Sequence, residues 1–336
     1  MTKINVTNCA AQAVARAIDS AAQFLRAQLR AGNYGLEAVN NAGQPTYSDN
    51  KGHIFVASFI TEAMAGLFDE IDRTIVLMRI LSEEIDGLWG YNSPGPRHLE
   101  HMRVFHVDAD DSAFALRTLR LLGVNRPPDR LLQFYRADER LFVTFDAPGP
   151  TALTTRLSIA NSLLAHAEVN ANVFLALHGT HLDRFIDLDV LIRAQHESGF
   201  WESYFYPSPL YGTLLALELL QRYPGFETAI DRALSYVASS QQADGSWGCG
   251  GDPYETALAV ACLSGHARHT NALQRGVSHL LTTMADDGSW SSPACIWVGT
   301  VPPDDMWRGY DRHGSYVTAR CLIALRRAAC QLTQSS

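Results

Sequence analysis

Lysine is almost missing from this chain, with only Lys3 and Lys51 in 336 residues, and the formal net charge is −8. No run of Lys or Arg occurs, which argues against a nucleic-acid surface. No stretch approaches a membrane span, and the N-terminus lacks a basic segment followed by a long apolar run. The expectation is a cytoplasmic protein with no transmembrane segment. The six cysteines, Cys9, Cys249, Cys262, Cys295, Cys321 and Cys330, show no CxxC spacing, so reduced thiols are expected. Charged residues make up 18% and hydrophobic residues 47%, which implies a large core and excludes disorder. Strand-like alternation is absent almost everywhere.

What is present is a repeat. "QQADGSWG" places Gln241, Gly245 and Trp247 in a Q-x-x-x-G-x-W pattern, and "QHESGFW" repeats it with Gln195, Gly199 and Trp201. Looser copies are "QLRAGNY" (Gln28, Gly32, Tyr34), "EEIDGLW" (Glu83, Gly87, Trp89) and "MADDGSW" (Met284, Gly288, Trp290). The spacing is roughly 45 to 55 residues, as in toroid and solenoid repeats. One interval, Trp89 to Trp201, is about double, and "ADERLFVTFDAPG" falls where a decayed copy belongs. Six copies result. Each reads as two helices, such as "AIDRALSYVASSQQ" before the turn and the nearly all-apolar "PYETALAVACLSG" after it. The expected fold is all-α, a six-hairpin α/α barrel filling residues 1–336 as one domain. Gln and Trp read as structural, the Trp as packing and the Gln amide as a partner for backbone groups at a helix end.

In such a barrel all inner helices begin at one rim. The rim residues are Lys51 and His53; Asp108, Asp110 and Asp111; Thr151, Thr154 and Arg156; Tyr206, Ser208 and Tyr211; Asp252, Tyr254 and Glu255; and Arg312, His313 and Tyr316. Six helix N-termini would also offer N–H groups and positive dipole ends to an anion such as a diphosphate. In "FHVDADDSAFALRTLRLLG" three acids lie beside Phe105 and Phe114 at the head of an apolar run. Asp110 points about 100° away from Asp111 in a helix, so all three converge only if Asp108 is a cap. Crowding and burial favour the protonated form of a carboxyl group, while helix dipoles oppose it. The expected result is one protonated acid beside ionised partners, suited to protonating an alkene inside apolar and aromatic walls. The plainer reading is an N-cap followed by surface acids.

"VDADDSAFALRTLRLLG" resembles the D-x-D-D-[ST]-A motif and following helix of class II terpene cyclases, the diterpene cyclases that make copalyl diphosphate and its relatives. The Q-x-x-x-G-x-W copies resemble the QW motifs shared with squalene–hopene cyclases. The resemblance implies Asp110 as general acid supported by Asp108 and Asp111, acting on a linear isoprenoid, expected to be a C15–C20 prenyl diphosphate, whose diphosphate is retained. It also implies a second helical domain, γ, for which six repeats leave no room here. The γ-domain acidic loop that helps bind magnesium and diphosphate therefore has no counterpart, so magnesium is left open. "DDMWRGYD" has the wrong spacing for a class I motif, and Cys249 with Asp252 has the wrong spacing for a prenyltransferase zinc site.

Protonation itself needs no cofactor. The expected partner is an isoprenoid small molecule, with a homo-oligomer left open. Candidate substrate contacts are Lys51, His53, Phe105, Arg156, Tyr206, Tyr211, Tyr254, Arg312, His313 and Tyr316, with Lys51, Arg156 and Arg312 as the cations for a diphosphate. The alternatives are a non-catalytic prenyl-binding barrel and a prenyltransferase-like barrel that needs a partner subunit.

Overall fold

The computed structural model describes residues 2–39, 45–48, 53–90, 107–146, 166–293, 295–298 and 307–334. Six apolar helices form an inner ring. They are α2 (Ile54–Ala63), α4 (Ala109–Leu121), α5 (Ala167–Leu177), α7 (Pro209–Leu220), α9 (Pro253–Leu263) and α11 (Ser315–Gln334). Each packs on the next, and α11 packs back on α2 to close the ring. Outside lie α1 (Thr2–Ala31), α3 (Glu70–Ser82), α6 (Leu188–Ala194), α8 (Glu227–Ser239) and α10 (Thr270–Thr283). The third outer position holds a 3₁₀ helix, Pro128–Phe134. Nearly every residue of α7 and α9 is buried, whereas α8 and α10 bury one stripe. That contrast is what a helix enclosed on most sides, against one facing solvent, should show.

The repeat is a hydrogen-bonded corner between outer and inner helices. The indole N–H of Trp89, Trp201, Trp247 and Trp290 donates to the carbonyls of Ile80, Leu191, Val237 and Leu280 at 2.7–2.9 Å. Their backbone N–H groups donate to Ser112, Thr213, Thr256 and Thr318 hydroxyls on the following inner helices. The Gln195 amide donates to the carbonyls of Gly199 and Ala229, and Gln241 to those of Gly245 and Ala272. Each amide thus ties its own turn to the next outer helix.

The decayed copy keeps this construction with different residues. Phe142 stands where the Trp belongs, is fully buried, and donates its N–H to the Asn170 side chain at 2.8 Å. Arg140, two residues earlier, has φ 57°, where the other copies place glycine. A two-stranded hairpin, β3 (Tyr135–Arg136) and β4 (Leu141–Phe142), replaces the usual turn.

A second sheet also departs from the all-helical expectation. Strands β1 (Glu37–Val39), β2 (Pro45–Ser48), β5 (Ile296–Val298) and β6 (Trp307–Tyr310) form an antiparallel sheet ordered β2-β1-β6-β5. It joins loops of the first and last hairpins, so it fastens the seam where the ring closes. Strands of three or four residues are too short to show a period of two.

Candidate active site

Asp108 is the N-cap of α4, with extended backbone, and its Oδ1 accepts the Asp111 N–H at 2.8 Å. Its own N–H donates to the Trp89 carbonyl, so the repeat corner sets where the acids stand. Asp111 is buried, and its Oδ1 has no hydrogen-bond partner. Asp110, the second residue of α4, is partly exposed. Asn172 on α5 donates from Nδ2 to Asp110 Oδ1 at 2.8 Å and to the Asp110 carbonyl at 3.0 Å. The Asn172 amide is itself oriented by Arg117, which donates to its Oδ1 at 2.6 Å. The cap and the motif acids are therefore one structure, and Asp110 is held by a neutral amide.

The electrostatics favour a proton on these groups. Burial pushes Asp110 well above the usual carboxylate range; Asp108 and Glu168 add to the rise, and Asn172 and Arg117 oppose it. Burial likewise pushes Asp111 well up, with Asp108 and Asp110 reinforcing it. Glu168, in the first turn of α5, is pushed up to about 7 by burial, against backbone hydrogen bonds that favour its charge. Its carboxylate accepts the N–H of Tyr204 at 2.6 Å and of Phe205 at 3.3 Å, while Oε2 has no partner.

Aromatic rings surround the acids. Phe55 and Phe59 of α2 each pack on Phe114 of α4 and Tyr316 of α11, with centroids 5.1–5.4 Å apart. Tyr206 stacks on Tyr211 at 3.5 Å, and the Tyr254 and Tyr316 hydroxyls lie 3.1 Å apart. The four tyrosines expected at the rim therefore converge. Farther down, the inner helices contribute charges: Arg327 pairs with Glu62 at 2.8 Å and Glu218 at 2.6 Å, and Arg117 approaches Glu218 at 3.7 Å. Above this network Arg320 is 5% exposed, over the Phe59 ring at 4.5 Å and the Tyr211 ring at 5.3 Å.

Other expected rim residues turn out differently. His53 caps α2, its Nδ1 accepting the Phe55 N–H at 3.1 Å. Arg312 is exposed and pairs with Glu37 at 2.5 Å, and His313 lies half-buried in the turn before α11. Lys51, Phe105, Thr151, Thr154 and Arg156 lie outside the described residues. The third inner helix of the described residues begins at Ala167, with His166 and Glu168 at its head. The helix N-termini are also less available than expected. Side chains of His53, Asp108, Ser208, Asp252 and Asp311 already accept N–H groups at the start of α2, α4, α7, α9 and α11.

Asn172, Glu168, Phe55, Phe59 and Arg320 were not singled out from sequence. The signals were there: Asn172 breaks the apolar run "AEVNANVF", and Arg320 is four residues after Tyr316, on the same helical face.

Residues 171–329 match the family model of the squalene–hopene cyclase C-terminal domain. Among curated proteins, the chain is 32% identical over 151 residues to a copalyl diphosphate synthase of Streptomyces cyslabdanicus. It is 30% identical over 215 residues to a labda-7,13-dienyl diphosphate synthase of Streptomyces clavuligerus. The matches cover 44% and 56% of this chain but only 27% and 36% of those relatives. Among solved structures, the type II terpene cyclase MstE from Scytonema, in complex with geranylgeranyl dihydroxybenzoate as substrate, superposes with a TM-score of 0.75 at 19% identity. That match covers 96% of this chain and 99% of the other. The fold is thus the α/α barrel of class II terpene cyclases, and the chain is distantly related to them.

Among the described residues Cys249, Cys262, Cys295 and Cys321 are free thiols, no helix is long and apolar enough to cross a membrane, and no group of three or more His, Cys, Asp or Glu side chains is placed to hold a metal ion.

Proposed function

We propose that this chain is a class II terpene cyclase, with Asp110 as the proton donor to the terminal alkene of a linear isoprenoid. The observation that carries the reading is the state of Asp110. It is a largely enclosed acid beside other acids, anchored through Oδ1 by Asn172 and pushed well above the usual carboxylate range by burial. A neutral amide fixes the carboxyl group without taking its proton, as a cation at that place would. Protonation puts positive charge on the substrate, and the rings of Phe55, Phe114 and Tyr206 offer their π faces to it while excluding water. Asp108 and Asp111 hold Asp110 in a setting where ionisation is costly. The substrate class proposed is a C15–C20 prenyl chain with its head group retained, because nothing in the mechanism ionises it. A magnesium ion, where one takes part, is proposed to arrive with a diphosphate.

The barrel is proposed to act as one domain. The direct test is incubation with farnesyl and geranylgeranyl diphosphates, with products analysed before and after phosphatase treatment. A cyclic product seen only after phosphatase supports retention of the diphosphate. Unchanged prenol after prolonged incubation would leave the prenyl-binding barrel as the better account.

A further inference from the structure

Among the described residues, the charged side chains low on the inner helices are unequal in number. Toward the lower half three arginines, Arg117, Arg320 and Arg327, face two glutamates, Glu62 and Glu218. Both glutamates are engaged: Glu62 by Arg327, and Glu218 by Arg327 and Arg117. Arg320 is left over. Among the described residues no carboxylate pairs with it, and its Nη2 is buried without a hydrogen-bond partner. A guanidinium has five N–H donors and cannot shed its charge in a protein. Burial works against that charge, and the neighbouring Tyr211, Tyr254 and Tyr316 stay neutral, their hydroxyls pushed up by burial. Ring faces stabilise a cation without satisfying its N–H groups. Leaving buried donors unmade is expensive, so this site is built to receive an acceptor.

Depth indicates where that acceptor comes from. Asp110 is the second residue of α4 and Arg320 the sixth of α11, which puts Arg320 about 6 Å deeper along the barrel at 1.5 Å per residue. A chain entering head first would bring an oxyanion to the floor and leave its far end beside Asp110. Among the described residues, side-chain caps occupy N–H groups at the rim, and Arg312 is paired with Glu37.

We propose that Arg320 is the subsite for the oxyanion head group of the isoprenoid, a diphosphate or a carboxylate, so that the substrate binds head down with its terminal alkene at Asp110. This deepens the cyclase reading, on which the position of the alkene rests. Neutralising Arg320 would also remove a like charge from the chamber in which a carbocation forms.

The test measures binding in full-length Asp110→Asn protein, so that turnover does not intervene. The probes are geranylgeranyl diphosphate, a geranylgeranyl benzoate with a free carboxylate, and geranylgeraniol. The parent should prefer at least one anionic probe to the alcohol by tenfold or more, and Arg320→Met should abolish that preference while alcohol binding holds. The anion whose advantage collapses identifies the head group. Equal losses for anion and alcohol, or an intact preference, would overturn the proposal. Should Arg320→Met not fold, Arg320→Lys decides: a smaller preference supports the subsite and an unchanged one overturns it. Arg320-dependent preference without any cyclised product from the unmodified enzyme would sink the cyclase reading alone.

Discussion

The Asp110 carboxyl group depends on neighbours that do no chemistry themselves. Asn172 fixes one of its oxygens, and Arg117 fixes Asn172. Removing the amide with Asn172→Ala should free the carboxyl to rotate and admit water, lowering the cyclisation rate by tenfold or more with little change in substrate affinity. An equal rise in KM with unchanged kcat would show that Asn172 acts in binding instead. Glu168 gives a second test at this scale. Its folded-state pKa, about 7, exceeds the ordinary glutamate value of 4.5, so the folded chain keeps a proton that the unfolded chain loses. The stability this proton confers is full below about pH 4.5 and falls as pH rises through 7. Linkage puts that loss at about 2 kcal/mol between pH 5 and 7.5. Glu168→Gln should flatten the slope by that amount in urea unfolding, and parallel pH profiles would rule Glu168 out as the cause. Burial and these partners depend on contacts across helices, which is why Asn172 and Glu168 passed unnoticed in the sequence.

Within the hairpins the turn glycine has a specific task. Gly245 has φ 89°, and a Cβ there would lie 2.8 Å from the Arg275 carbonyl. Gly199 stands in the same relation to the Arg232 carbonyl at 2.5 Å. The left-handed backbone costs a side chain about 1–2 kcal/mol, and the clash adds to it. Gly245→Ala should therefore destabilise by roughly 2–4 kcal/mol. Arg140→Ala, at the matching position of the divergent copy, should stay within about 0.5 kcal/mol, because a Cβ is already accommodated there. Similar losses in the two variants, by thermal melting, would refute this reading of the repeat. The hairpins were legible because glycine, Trp and Gln recur for backbone reasons that leave a mark at fixed spacing. The divergent copy was legible only by its position, since Arg140 and Phe142 carry no such mark.

The ring is closed at the scale of the whole molecule by α11 packing on α2 and by the sheet that joins the first and last loops. Such closure should make unfolding cooperative. A single urea transition, seen alike by far-UV circular dichroism and tryptophan fluorescence, is expected, and two separated transitions would contradict a single domain. The ring of apolar helices and the convergence of tyrosines could be read from sequence, because both follow from periodicity and a shared rim. The floor could not: Glu62, Arg117, Glu218, Arg320 and Arg327 come from four different helices, and only the closed barrel brings them together. The central claim is proton transfer from Asp110 to carbon, and heavy water tests it most directly. The unmodified enzyme should yield a cyclised product that carries one solvent deuterium and keeps its head group. Asp110→Asn should be slower by about a hundredfold or more while still binding substrate. A product without deuterium, or undiminished activity in Asp110→Asn, would contradict the account.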